Sequence, residues 1–187
     1  AHPNFPAQFK HIAKAAAANG HEVYFICQTH FGRSIPDVTR LKLRGELSSA
    51  TLEKNKLSIF EKTKFLGEQF REGFKNLKIN SWIPDLVISH SGWGCGLYIK
   101  EIWPATKLIS YLEWWFDPLS EFFSYDEANL EIALNTLSTK KYYERNFFVS
   151  MELSNADTII SPTKWQRAQL PSIFKNNCHV IFDGVNL

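Results

Sequence analysis

DLVISHSGWGCGLYIKEIWPATKLISYLEWWF (residues 85–116) holds two short apolar runs, each closing on a cluster of polar, glycine and aromatic residues. Leu86, Val87 and Ile88 form a continuous run of the kind found in a strand covered on both faces. His90, Gly92, Trp93 and Gly94 follow at once. Leu97, Ile99, Ile102 and Trp103 then supply helical text until Pro104, and a second run, residues 108–112, delivers Glu113, Trp114, Trp115 and Phe116. The order is strand, helix, strand. Ligands of parallel α/β sheets bind beyond the carboxyl ends of the strands, so both clusters are expected on one rim.

Toward the amino end, Asn4 reads as the cap of a helix with Pro6 in its early turn. Phe9, Ile12, Ala13, Ala16 and Ala17 continue it until Gly20 supplies the stop. A strand is expected over Val23–Cys27 and a weaker one through Val38, Leu41 and Leu43. A long surface helix is expected from about Leu52 to Ile79, with a break near Gly67. Toward the carboxyl end, Ser124 and Glu127 have capping-box spacing, and Leu130, Leu134 and Leu137 continue at helical intervals. That helical text runs to about Ser154, with a break near Ser138 and Thr139. A strand at residues 158–160 follows. Ser161 and Pro162 then read as N-cap and first position of a short helix through Trp165 and Ala168, and residues 180–182 as a last strand.

This alternation predicts one Rossmann-like α/β domain over residues 1–187, a doubly wound and mostly parallel sheet with helices on both faces. The ends are unusual for it. The chain opens on a helix with no central strand before it and closes on Asp183-Gly184-Val185-Asn186-Leu187, a turn leading onward. A fragment trimmed at both ends is the expectation. Strand exchange between chains is one way such a sheet would satisfy its exposed edges.

A chain of 187 residues can bury a sizeable core without disulfides or metals, and a net charge of +2 with mixed signs offers no broad basic field for a nucleic acid. Cys27, Cys95 and Cys178 are odd in number, far apart and without metal-ligand spacing, which indicates no disulfide framework and no metal site and fits a reducing cytoplasm. No cofactor is called for. No apolar stretch approaches the roughly 18 residues of a spanning helix.

Four groups of residues carry candidate chemistry. His90 ends an apolar strand, where an imidazole donates to developing charge or positions a hydroxyl; the competing reading is a helix-capping histidine. Gly92, Gly94 and Gly96 resemble a phosphate-cradling loop, but the spacing is not G-x-G-x-x-G, and a tight turn is the stronger reading. Glu113 can accept sugar hydroxyls or stabilise positive charge at an anomeric carbon, against the alternative of a capping or salt-bridged glutamate. Trp93, Trp114, Trp115 and Phe116 offer faces for stacking on a sugar or an apolar tail, with core packing the safer reading for at least two of the last three. The lysines of the long helix suggest peripheral contact with an anionic membrane, but interspersed Glu53, Glu61, Glu68 and Glu72 favour a solvated face. Ser161, Thr163 and Trp165 rank below the His90 and Glu113 pair.

At these residues the chain resembles the amino-terminal domain of retaining glycosyltransferases of family 4, the GT-B type. HPNFPAQFKHIAKAAAANGHEV is similar to that family's first loop and helix, SHSGWGCGLYIKEIWPATKLISYLEWWF to its HPGWGE-type motif and YFEFYY-type strand end, and ADTIISPTKWQ with VIFDGVNL to its last strands and linker. Ser91 stands for the motif's proline and Cys95 for its acidic residue, so a role carried by that acid does not transfer. The resemblance implies sugar transfer from a nucleotide-sugar donor to a sugar or glycolipid acceptor, with retention, usually without a metal. It implies a cleft shared with a carboxyl-terminal domain that holds most of the donor and is absent from this chain, which would leave the chain inactive alone. His90 would face that cleft, with Gly92, Trp93 and Gly94 as its wall. Glu113 would face the acceptor or the transferred sugar, with Trp114 and Trp115 on the acceptor side. Two other readings stay open: a nucleotide- or dinucleotide-binding oxidoreductase domain, which lacks its glycine fingerprint here, and a non-catalytic sugar-binding module.

Overall fold

The computed structural model describes residues 1–29, 32–43, 57–117, 120 and 136–184, without the side chains of 136–138. A 3₁₀ turn, Ala7–Phe9, leads into α1 (Lys10–Ala18), followed by β1 (Val23–Cys27) and β2 (Val38–Lys42). Then come α2 (Ile59–Ile79), β3 (Leu86–His90), α3 (Ile99–Ile102), β4 (Lys107–Tyr111) and α4 (Thr136–Asn155). The order closes with β5 (Thr158–Ser161), α5 (Lys164–Ala168), α6 (Ser172–Lys175) and β6 (Cys178–Val180). Every strand pair is parallel, as expected for a Rossmann-like α/β domain.

The strands form two sheets, β1-β2 and β3-β4-β5-β6, with no ladder between β1 and β3. Ala1 and His2 span the gap. The Ala1 amino group donates to the Ile88 carbonyl and its own carbonyl accepts from His90 N–H, while His2 N–H donates to Ile26 of β1. Strand side chains are buried on both faces, although Leu86 at the start of β3 is 48% exposed. One face sends Ile26, Leu108 and Ile159 toward α2, α3 and α4; the other sends Phe25 and Tyr111 toward Phe9 and Ala13 of the first helical segment.

Several element boundaries differ from the sequence expectation. Asn4 caps no helix; its Oδ1 accepts from the Thr29 hydroxyl at 2.7 Å, tying the first loop to the end of β1. α2 begins at Ile59, where Ser58 and Glu61 close a reciprocal capping box, and the expected start near Leu52 lies outside the described residues. The helix runs unbroken through Gly67. That glycine is a contact, since a Cβ there would lie 3.0 Å from Leu97 and 3.4 Å from the Gly94 carbonyl. α4 likewise passes through Ser138 and Thr139 without a break, and the capping-box pair Ser124 and Glu127 lies outside the described residues.

Ser161 belongs to β5 and is fully buried; the N-cap of α5 is Thr163, which accepts from Gln166 N–H. β6 ends at Val180 rather than beginning there, because Arg167 binds the carbonyls of Lys175 and Cys178 and sets the register two residues earlier. Pro171 opens a four-residue helix, α6, that apolar periodicity was too short to reveal.

Candidate active site

β3 and β4 are paired in register from Leu86 opposite Lys107 to His90 opposite Tyr111, so the two chemistry-bearing clusters emerge side by side at the carboxyl rim. His90 is buried, and its Nε2 lies 3.1 Å from Glu113 Oε2. Its Nδ1 lies 2.8 Å from the Ser91 carbonyl. A carbonyl and an ionised carboxylate only accept, so both contacts are hydrogen bonds when the ring carries both protons. Gln8 also donates to Glu113 Oε2, at 3.2 Å, and Gln166 donates to the Glu113 carbonyl at 2.8 Å. The His90 contact holds the Glu113 carboxyl below its ordinary range against the opposing effect of partial burial. Both side-chain donors fall on Oε2, and among the described residues Oε1 is left to accept from an incoming group.

Sequence reasoning did not single out His2. Its ring meets His90 edge-on, with centroids 4.9 Å apart, and its Nδ1 accepts from Asn4 N–H at 2.9 Å. Burial, followed by the nearby His90 and the terminal ammonium, lowers it to about 3. His2 is therefore a neutral spacer beside His90. Tyr111 also packs against the His90 ring and donates its hydroxyl to Asp183; burial, together with that interaction, pushes the phenol pKa up.

The glycine turn binds an anion from within. Gly92 and Gly94 have φ of +89° and +80°, and the N–H groups of Gly92 and Gly96 donate to Oε2 and Oε1 of Glu152 at 2.5 and 2.9 Å. The Gly94 N–H also contributes to holding this carboxylate. An N–H nest of this kind suits a phosphate, but these N–H groups are already occupied. The sequence carried a signal for Glu152: Val149, Glu152, Leu153 and Ala156 share i, i+3, i+4, i+7 spacing, with a carboxylate in an apolar stripe.

Of the aromatic candidates, Trp93 is 43% exposed on the turn and its ring lies 6.2 Å from that of His2. Trp114 is half-buried between Phe116 and Trp165, with centroids at 6.1 and 5.4 Å. Trp115 turns inward to Phe174 and the cluster of Leu112, Val149 and Leu170. Cys27, Cys95 and Cys178 are buried thiols, and no group of three potential metal ligands occurs among the described residues. No described helix is long and apolar enough to cross a membrane. On α2, Arg71 pairs with Glu101 and Glu68, and Lys75 with Glu72.

His90 and Glu113 thus meet at the carboxyl rim of adjacent parallel strands, the edge at which parallel α/β sheets bind their ligands. The glycosyl transferase family 4 group model matches residues 19–187, and the chain belongs to that family. No curated protein matches the sequence.

Proposed function

We propose that this chain is the acceptor-side domain of a retaining glycosyltransferase that moves a sugar from a nucleotide-sugar donor to a sugar or glycolipid hydroxyl. The family supports glycosyl transfer; the observation that carries the finer reading is the 3.1 Å hydrogen bond between His90 and Glu113. In this reaction the bond from the anomeric carbon to the donor phosphate breaks, a bond to the acceptor oxygen forms, and the acceptor proton leaves with the nucleotide. Glu113 Oε1 orients the acceptor hydroxyl or faces the positive charge developing at the anomeric carbon, and His90 holds the carboxylate in place from below. The exposed face of Trp93 and the edge of Trp114 border the same rim and offer stacking surface to the acceptor. Trp115 supports the strand end from the core. A second domain carries most of the donor, and closure of the two excludes water from the transfer.

The test is turnover of the two-domain enzyme on a panel of nucleotide sugars, read as release of nucleoside diphosphate. His90→Ala and Glu113→Ala are each expected to lower kcat by about a hundredfold or more. Turnover within about threefold of the parent for either variant would remove that residue from the reaction.

A further inference from the structure

The Glu152 carboxylate is fully buried, in a stripe where Val149 and Leu153 are each 2% exposed. Among the described residues it faces no cation, and its partners are the glycine N–H groups of the turn. Isolating a carboxylate from water this way is costly, and an apolar side chain between Val149 and Leu153 would fill the space more cheaply. Its contact with the turn therefore needs a reason beyond packing.

That reason lies in one peptide unit. The N–H of Gly92 donates to Glu152 Oε2, and the carbonyl of the same peptide, on Ser91, accepts from His90 Nδ1. The two hydrogen bonds grip opposite ends of one rigid plane. With the Ser91 carbonyl aimed at Nδ1, that nitrogen must carry a proton, and Nε2 is presented to Glu113. The run from Glu152 through Gly92 N–H, Ser91 carbonyl and His90 to Glu113 is continuous, and hydrogen bonds in such a chain polarise one another. Ser91 is anchored independently, its N–H and hydroxyl both donating to the Tyr111 carbonyl, so Glu152 governs the remaining rotation of the 91–92 peptide.

We propose that Glu152 is a positioning residue for His90, fixing through the Ser91–Gly92 peptide the orientation of the imidazole and holding Nδ1 protonated against the Ser91 carbonyl, so that Nε2–H is left to donate to Glu113. The chemical use of that orientation rests on the transferase reading; the orientation itself does not. Burial, partly offset by the glycine N–H groups, pushes Glu152 up to about 7, and the titratable group beside it is the Cys95 thiol, itself raised by burial and by Glu152.

The test is histidine-ring ¹⁵N spectroscopy of the chain, with His90 assigned by its loss in His90→Gln. In Glu152→Gln, one amide oxygen replaces two carboxylate oxygens, and the fraction of His90 protonated at Nδ1 is expected to change by about threefold or more, with the His2 signals unmoved. A His90 spectrum matching the parent's, while the Gly92 and Gly96 amide signals move, would leave Glu152 a purely structural residue and overturn the proposal. Should the Gln variant lose its fold, the parent decides. Between about pH 5 and pH 9 the Gly92 amide follows the Glu152 proton, and His90 Nδ1 must show an inflection at the same midpoint. Absence of that inflection overturns the proposal. Neither readout needs a substrate, so a failed transferase assay and a failed positioning role are told apart.

Discussion

Two buried titratable side chains within the site oppose each other across the acid range. His2 is held neutral, with its pKa lowered from 6.5 to about 3, so the unfolded chain binds the extra proton first. Its contribution to stability is present above pH 6.5 and is lost as pH falls through about 3. Glu152 is raised from 4.5 to about 7, so the folded chain holds its proton longer. Its contribution is present below pH 4.5 and is lost as pH rises through about 7, amounting to about 3 kcal/mol. Between pH 4.5 and 6.5 the two slopes have opposite sign, and their sum is shallow. Denaturant midpoints across this range are expected to separate them: His2→Gln removes the acid-side loss, and Glu152→Gln removes the loss toward neutral pH. A parent slope unchanged by both variants would assign the pH dependence to other groups.

The turn between β3 and α3 is where two elements press closest. A Cβ on Gly94 would lie 2.8 Å from the Thr63 carbonyl and 3.0 Å from Gly67 Cα, and its φ of +80° disfavours any side chain. α2 cannot retreat without opening the cluster of Phe70, Phe74 and Ile99 beneath it. Gly94→Ala is therefore expected to destabilise the chain by about 2–4 kcal/mol, measured by chemical denaturation. A loss below about 1 kcal/mol would mean that the turn relaxes freely. Gly20 also has positive φ, but nothing lies within 4 Å of its added Cβ. Gly20→Ala retains the backbone strain without the steric clash, so the difference between the two variants isolates the packing contribution.

At the scale of the molecule, the break between the sheets stands out. A cavity of about 560 Å³ lies between β1 and β3, lined among others by Phe25, Ile26, Phe74, Val87 and Ile88. Ala1 is strung across its end with its ammonium buried and lowered to about 6 by desolvation. Unpaired strand edges beside apolar walls form a template for one more strand. An extension of about five apolar, β-branched residues placed before Ala1 is expected to raise Tm by about 5 °C or more, since each buried large side chain adds about 1.5–3 kcal/mol. An unchanged Tm would show that the gap does not accept a strand. Light scattering of the unextended chain separates this from strand exchange, which requires a dimer.

The strand runs at residues 86–88 and 108–112, their parallel order and the meeting of His90 with Glu113 on one rim were all legible in the sequence. Burying a continuous apolar run on both faces leaves little choice of element, and the end of a strand fixes where the next residues emerge. The caps and breaks were less legible. Asn4 and Gly67 each suited a local role, yet each was claimed by a partner distant in sequence, Thr29 and the Gly94 turn, and Ser161 was drawn into β5 and buried. Glu152 lies 60 residues from Gly92, and only folding brings its carboxylate to those N–H groups. Hydrophobic period is a local property and determined the architecture; hydrogen-bond partners and close backbone contacts are set by packing, and tertiary structure decided how the glycine turn is filled and which way His90 faces.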